Sequence, residues 1–96
     1  MEIRVSSQAE EDIEKNRSYL EAHSPGIEER FHADVMDCLR YIEQHPGAFQ
    51  IRSKTYRYAP LSIFHFHIVY SIEGSNVVVH RVRHMNQRPL KRYFGS

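Results

Sequence analysis

Ninety-six residues with 41% hydrophobic and 26% charged side chains allow one domain, residues 1–96, with one modest core. The formal net charge of +1 hides a split: residues 1–45 carry five Lys/Arg against eleven Asp/Glu, and residues 46–96 carry eight against one. No apolar run approaches the ~20 residues that span a bilayer, and the first residues show no basic-then-apolar pattern, so neither a membrane helix nor a secretory signal is expected.

Met1–Val5 alternates and predicts a short strand with Ile3 and Val5 on one face. Ser7-Gln8-Ala9-Glu10 is a capping-box pattern, so a first helix is expected from there to about His23. Ala9, Ile13, Tyr19 and Leu20 form its thin apolar stripe. Ser24-Pro25-Gly26 breaks that helix, with Ser24 suited to an N-cap and Pro25 to the first position of the next. Ile27, Phe31, Val35, Cys38, Leu39 and Ile42 recur at helical spacing until His45-Pro46-Gly47. The short connection predicts an antiparallel helical hairpin. The lone Cys38 rules out an intrachain disulfide and suits the cytoplasm.

The remainder reads as sheet. Residues 49–52 and 55–59 are short strand candidates, and Pro60 suggests an edge or a turn. Ile63–His84 is the strongest signal: two β-branched and aromatic runs flank the polar loop Glu73-Gly74-Ser75-Asn76. Phe64, Phe66, Ile68, Tyr70 and Ile72 fall on one face by period-2 alternation, with His65, His67, Val69 and Ser71 on the other. The predicted fold class is α+β: an N-terminal β-strand, then an antiparallel two-helix hairpin packed on an antiparallel β-sheet.

A carboxylate-poor sheet carries a positive field whose natural partners are phosphates or an acidic protein segment. Arg57, Arg81, Arg83 and Arg88 are the cationic set. Arg81 and Arg83 are expected on one face of the last strand, and with Arg57 on a neighbouring strand three guanidiniums would converge to bind phosphate or an acidic partner. Tyr56, Tyr58 and Tyr93 are candidates for stacking. His84, where the last strand opens into a loop, is a candidate proton shuttle or a packing histidine. His65 and His67 share a strand face, but no nearby residues complete a zinc set, so half-exposed sheet histidines are the expectation. No metal and no cofactor are expected, and no Walker loop, Rossmann fingerprint or nucleophile elbow is present.

Several of these residues together resemble a known family. They are Ser6-x-x-Ala9-x-x-Asp12-Ile13, Tyr19, the stripe from Phe31 to Ile42, His45-Pro46, Tyr56-Arg57 and Ile68-Val69-Tyr70. Val79-His80-Arg81-Val82-Arg83-His84 and Arg88-Pro89 complete the set. Over nearly its whole length the chain resembles toxins of the ParE/RelE superfamily, the plasmid-stabilisation toxins of type II toxin–antitoxin systems. The resemblance implies a helical hairpin on an antiparallel sheet, a cognate antitoxin that wraps the toxin, and a toxin–antitoxin hetero-oligomer. It is closer to the ParE branch, which inhibits DNA gyrase: both helices are long, and His67 stands where nuclease members commonly carry arginine. On that reading Arg57, Arg81, Arg83, His84 and Arg88 would bind target or antitoxin. The alternatives are a RelE-like, metal-independent endoribonuclease that cleaves mRNA on the ribosome, using Arg57, Arg81, His84, Arg88 and Tyr93, or a non-toxic member that only binds its antitoxin.

Overall fold

The two runs of the long hairpin become the central strands of a five-stranded sheet. The computed structural model describes residues 2–85. The elements are Glu2–Val5 (β1), Ser7–His23 (α1), Ile27–Gln44 (α2), Ile51–Ser53 (β2), Tyr56–Pro60 (β3), Phe66–Glu73 (β4) and Asn76–His84 (β5). The strand order is β1-β5-β4-β3-β2. The pairings β2–β3, β3–β4 and β4–β5 are antiparallel, as expected, and β1 lies parallel to β5. The architecture is therefore α+β, with a mostly antiparallel sheet.

The alternation in β4 sorts its side chains as the sequence implies. Phe66, Ile68 and Tyr70 are buried in one core with Phe31, Val35, Cys38, Leu39 and Ile42 of α2 and Ala9 and Ile13 of α1. The α2 stripe carries most of the helical contribution, at roughly 1.5–3 kcal/mol for each large apolar side chain buried. Phe31 is fully buried, edge-on to Phe66 at 4.9 Å and to Phe64 at 5.4 Å. Truncating it to alanine would remove about 3–5 kcal/mol. The fully buried Tyr70 ends its reach at the loop after α2, where its hydroxyl donates to the Pro46 carbonyl at 2.6 Å.

Three local expectations are corrected. The α1 cap is Ser6, not Ser7: the Ser6 hydroxyl accepts from the Ala9 amide at 3.1 Å. The chain is still paired to β5 at that point, since the Ser6 amide donates to Val79, so the helix cannot begin earlier. Tyr19 is not part of the buried stripe; it is 61% exposed and stacks on His23, while Asp12 is buried. Ser24 does not cap α2. Ser24-Pro25-Gly26 forms a turn closed by the Ile27 amide on the Ser24 carbonyl, and Gly26 caps the helix at φ 99°. That left-handed conformation favours glycine.

One departure in β5 shapes the rest. Tyr70 pairs with Val79 and Val69 with Arg81, so His80 is an extra residue, a β-bulge. A bulge leaves backbone groups outside the ladder, and here α1 satisfies them. The Ser6 hydroxyl donates to the His80 carbonyl at 3.1 Å, and the Val82 amide donates to Asp12 at 3.0 Å. Ala9, with no exposed surface, lies between them on α1. The Ser-x-x-Ala-x-x-Asp-Ile pattern is thus the clamp by which α1 holds the bulged strand.

Candidate functional site

The bulge decides where the cations of β5 go. Arg81 is carried to α1, where its Nε and Nη2 donate to the two carboxylate oxygens of Asp12 at 2.7 and 3.1 Å. Both side chains are largely buried, at 20% and 10% exposure. Past the bulge the strand resumes regular pairing, with Val82 opposite Ile68 in the core and Arg83 opposite His67 on the face turned away from the helices. By register Arg81, opposite Val69, and Arg83, opposite His67, still share a strand face, because the extra residue precedes both; it shifts the two together relative to the Val run, and what separates them is that Asp12 of α1 claims Arg81.

Arg57 lies elsewhere. It pairs with Tyr70 and so shares the helix side of the sheet. There its Nη1 donates to the Phe49 carbonyl at 2.6 Å and, at 3.5 Å, to that of Gly47. It ties the loop after α2 to the sheet. His84 is opposite Phe66, also on the helix side, with the two rings edge-on at 5.1 Å. It lines a groove of about 660 Å³ with Tyr19 and Leu20 of α1 and Ile63 and Phe64 of the β3–β4 loop. Arg57, Arg81, Arg83 and His84 therefore do not converge. Arg88 and Tyr93 lie outside the described residues.

The β3–β4 loop beside this groove is set by a carboxylate that the sequence reading passed over. Asp34, 3% exposed on α2, accepts the amides of Ser62, Ile63 and Phe64 at 3.3, 2.9 and 3.0 Å. Both Asp12 and Asp34 sit on the apolar stripes of their helices, three residues after Ala9 and Phe31. A charged residue in phase with a core stripe signals a buried, bonded carboxylate, and that was the available clue. Asp34 also bears on Cys38, whose thiol is pushed up to about 12 by burial first and then by the Asp34 charge. The thiol points at the carbonyls of Ala59 and Pro60 and is chemically quiet.

What gathers on the open face is a different set. Tyr58 and His67 have ring centroids 4.6 Å apart, and the Arg52 guanidinium lies 5.7 Å from the Tyr58 ring centroid. Arg83 adjoins His67 across the strand pair. His67 is held below its ordinary imidazole value, by burial first and then by Arg83, Arg52 and His84. Arg83 is only 8% exposed, and its Nε is buried without a hydrogen-bond partner. Burial pulls its pKa down from the usual arginine value, the Arg81 charge adds to this, and Tyr58 and Asp12 oppose it. Further along, Ser71 Oγ is 2.7 Å from His80 Nε2 and donates to Glu73 at 2.8 Å, and His80 meets Tyr56 edge-on at 5.1 Å. The face is cationic and aromatic at one end and internally satisfied at the other.

Comparison with known proteins bears on this arrangement. The family model described as "ParE toxin of type II toxin-antitoxin system, parDE" matches residues 3–89. No curated protein sequence matches. Among solved structures, the chain is similar to one from the chromosomal ParDE TA system of P. aeruginosa. The TM-score is 0.82 at 14% identity, over 90% of this chain and 97% of that one. At that identity the likeness shows a shared fold.

Proposed function

The chain belongs to the ParE toxin family of type II toxin–antitoxin systems, and from that premise we propose that it acts as a single toxin domain that inhibits DNA gyrase by binding and is neutralised by a cognate antitoxin. The observation that carries the binding reading is the fate of the arginines. A metal-independent nuclease needs several cations and a proton shuttle gathered round one scissile phosphate. Here Arg81 is held by Asp12, Arg57 by loop carbonyls, and His84 lies across the sheet from Arg83. That dispersal supports inhibition by occupancy over RNA cleavage. The antitoxin partner and a toxin–antitoxin hetero-oligomer follow by analogy with the ParDE system whose fold this chain shares. Among the described residues no helix is long and apolar enough to cross a membrane.

The test is a supercoiling assay with purified gyrase titrated with this protein. Loss of supercoiling, with or without trapped cleaved DNA, is the expected result. Unchanged supercoiling at saturating protein, together with mRNA cleavage on translating ribosomes, would overturn the proposal in favour of a nuclease.

A further inference from the structure

Two arginines two residues apart in β5 have opposite fates. Arg81 presents the Nε/Nη2 edge of its guanidinium to Asp12, and both oxygens are engaged. Arg83, opposite His67, is 8% exposed, and its buried Nε has no partner. Its backbone belongs to the β4–β5 ladder, but among the described residues no side-chain hydrogen bond or ion pair of Arg83 is seen. A buried charged donor left unmade is costly and calls for an explanation at each occurrence. The surroundings offer partial relief only: Tyr58 and Asp12 favour the charge, while burial and Arg81 oppose it. Arg83 faces His67, and His67 leads through Tyr58 to Arg52. Glu73 is the one acid in residues 46–96, and it is engaged by Ser71 at the far end of the hairpin.

We propose that Arg83, flanked by His67 and Arg52, is a receptor for a carboxylate side chain of an acidic peptide segment that lies on the sheet face turned away from the helices. The charge of the chain is complementary to such a segment, since its own carboxylates are concentrated in residues 1–45. The choice of a carboxylate over a nucleic acid rests on shape. Polynucleotide binding depends on a row of cations that reach successive phosphates. Arg83 is instead a single, largely buried guanidinium, suited to one carboxylate at its outer nitrogens and not to a row of phosphates. The half-buried His67 supplies a ring N–H beside it, and the exposed Arg52 guides charge towards it. The inference goes beyond gyrase inhibition, because it concerns this face whichever protein supplies the segment.

The experiment follows the arginine Nε–Hε resonances of the full-length protein by NMR at fixed ionic strength. Three probes are titrated: an end-blocked hexapeptide of alternating Asp and Glu, its Asn/Gln counterpart, and a single-stranded RNA hexamer. The acidic peptide is expected to shift the Arg83 Nε–Hε signal saturably, and the neutral peptide to leave it in place. Arg83→Gln is expected to weaken acidic-peptide binding at least about tenfold, and the exposed Arg52→Gln to weaken it a few-fold. If Arg83→Gln does not fold, the wild-type resonance and Arg52→Gln carry the test. No shift with the acidic peptide, an equal shift with the neutral one, or a shift at lower concentration with the RNA hexamer would each overturn the carboxylate assignment. None of these readouts depends on gyrase, so the two proposals fail separately.

Discussion

Asp12 of α1 and Arg81 of β5, 69 residues apart, form a two-point ion pair at 2.7 and 3.1 Å, and Asp12 also accepts the Val82 amide. One carboxylate thus neutralises an arginine and fills a gap in the ladder left by the bulge. It joins the acidic first half of the chain to the basic second half. Part of the charge split is therefore structural.

Removing one partner of such a pair strands the other. Asp12→Ala leaves a mostly buried guanidinium and an unpaired amide, and should lower stability by about 3–5 kcal/mol. Replacing both partners, Asp12→Leu with Arg81→Leu, should cost less than Asp12→Ala alone. Urea denaturation of the three chains measures this. A loss below about 1 kcal/mol for Asp12→Ala would show that the pair behaves as a solvated surface contact.

Asp34 acts on the loop, not on a charge. Asp34→Ala frees three consecutive amides, at Ser62, Ile63 and Phe64. Because Ser62 and Ile63 are exposed, water replaces part of what is lost, so the expected cost is about 1–3 kcal/mol in all. Hydrogen exchange at these three amides should accelerate far more than at Ile68 in the sheet centre. Unchanged protection at residues 62–64 would mean that the carboxylate does not hold the loop.

The sequence made the layer arrangement legible because β4 and α2 obey their periods without interruption. Phe66, Ile68 and Tyr70, and Phe31, Val35, Cys38, Leu39 and Ile42, all reach the core as read. What escaped was set by tertiary partners. Nothing local marks His80 as an extra residue; the bulge is stable because Ser6 and Asp12, far away in sequence, bind its carbonyl and the following amide. Once that one residue is inserted, every side-chain direction inferred beyond it by alternation is displaced. The anticipated cluster of Arg57, Arg81 and His84 failed for this reason and because backbone carbonyls and a carboxylate claimed two of the three. The unpaired Arg83 was visible as a cation but not as a buried one, since burial on the open face depends on strands brought together from distant segments.

Cys38 gives a chemical readout of core integrity. With the thiol pushed up to about 12 by burial and by Asp34, the thiolate is scarce near neutral pH. In the native protein Cys38 should react with a thiol reagent no faster than global or local opening allows, and denaturant should restore the rate of a free thiol. Fast labelling of the folded chain would contradict a sealed interface between α2 and β3. Asp34→Asn removes the neighbouring charge and should raise native reactivity only if it also loosens the loop.

Acidification should destabilise the sheet through two imidazoles on the open face. His67 is held below the ordinary imidazole value of 6.5 by burial first and then by Arg83, Arg52 and His84. His80 is lowered from 6.5 by burial, with Glu73 partly opposing. A depressed folded-state pKa means that the unfolded chain binds protons more readily, so stability rises with pH across this range. The contribution is full above the unfolded value of 6.5 and is lost as pH falls through the lower folded-state values. The melting temperature should therefore drop between about pH 7 and about pH 5. His67→Gln and His80→Gln should each flatten that slope, although each also removes native contacts and lowers the plateau. A melting temperature that stays level over this interval, or a slope that survives both substitutions, would assign the pH response to other groups. A carboxylate docked against Arg83 would offset some of the positive field on His67, so the acidic hexapeptide should shallow the wild-type slope and leave that of Arg83→Gln unchanged.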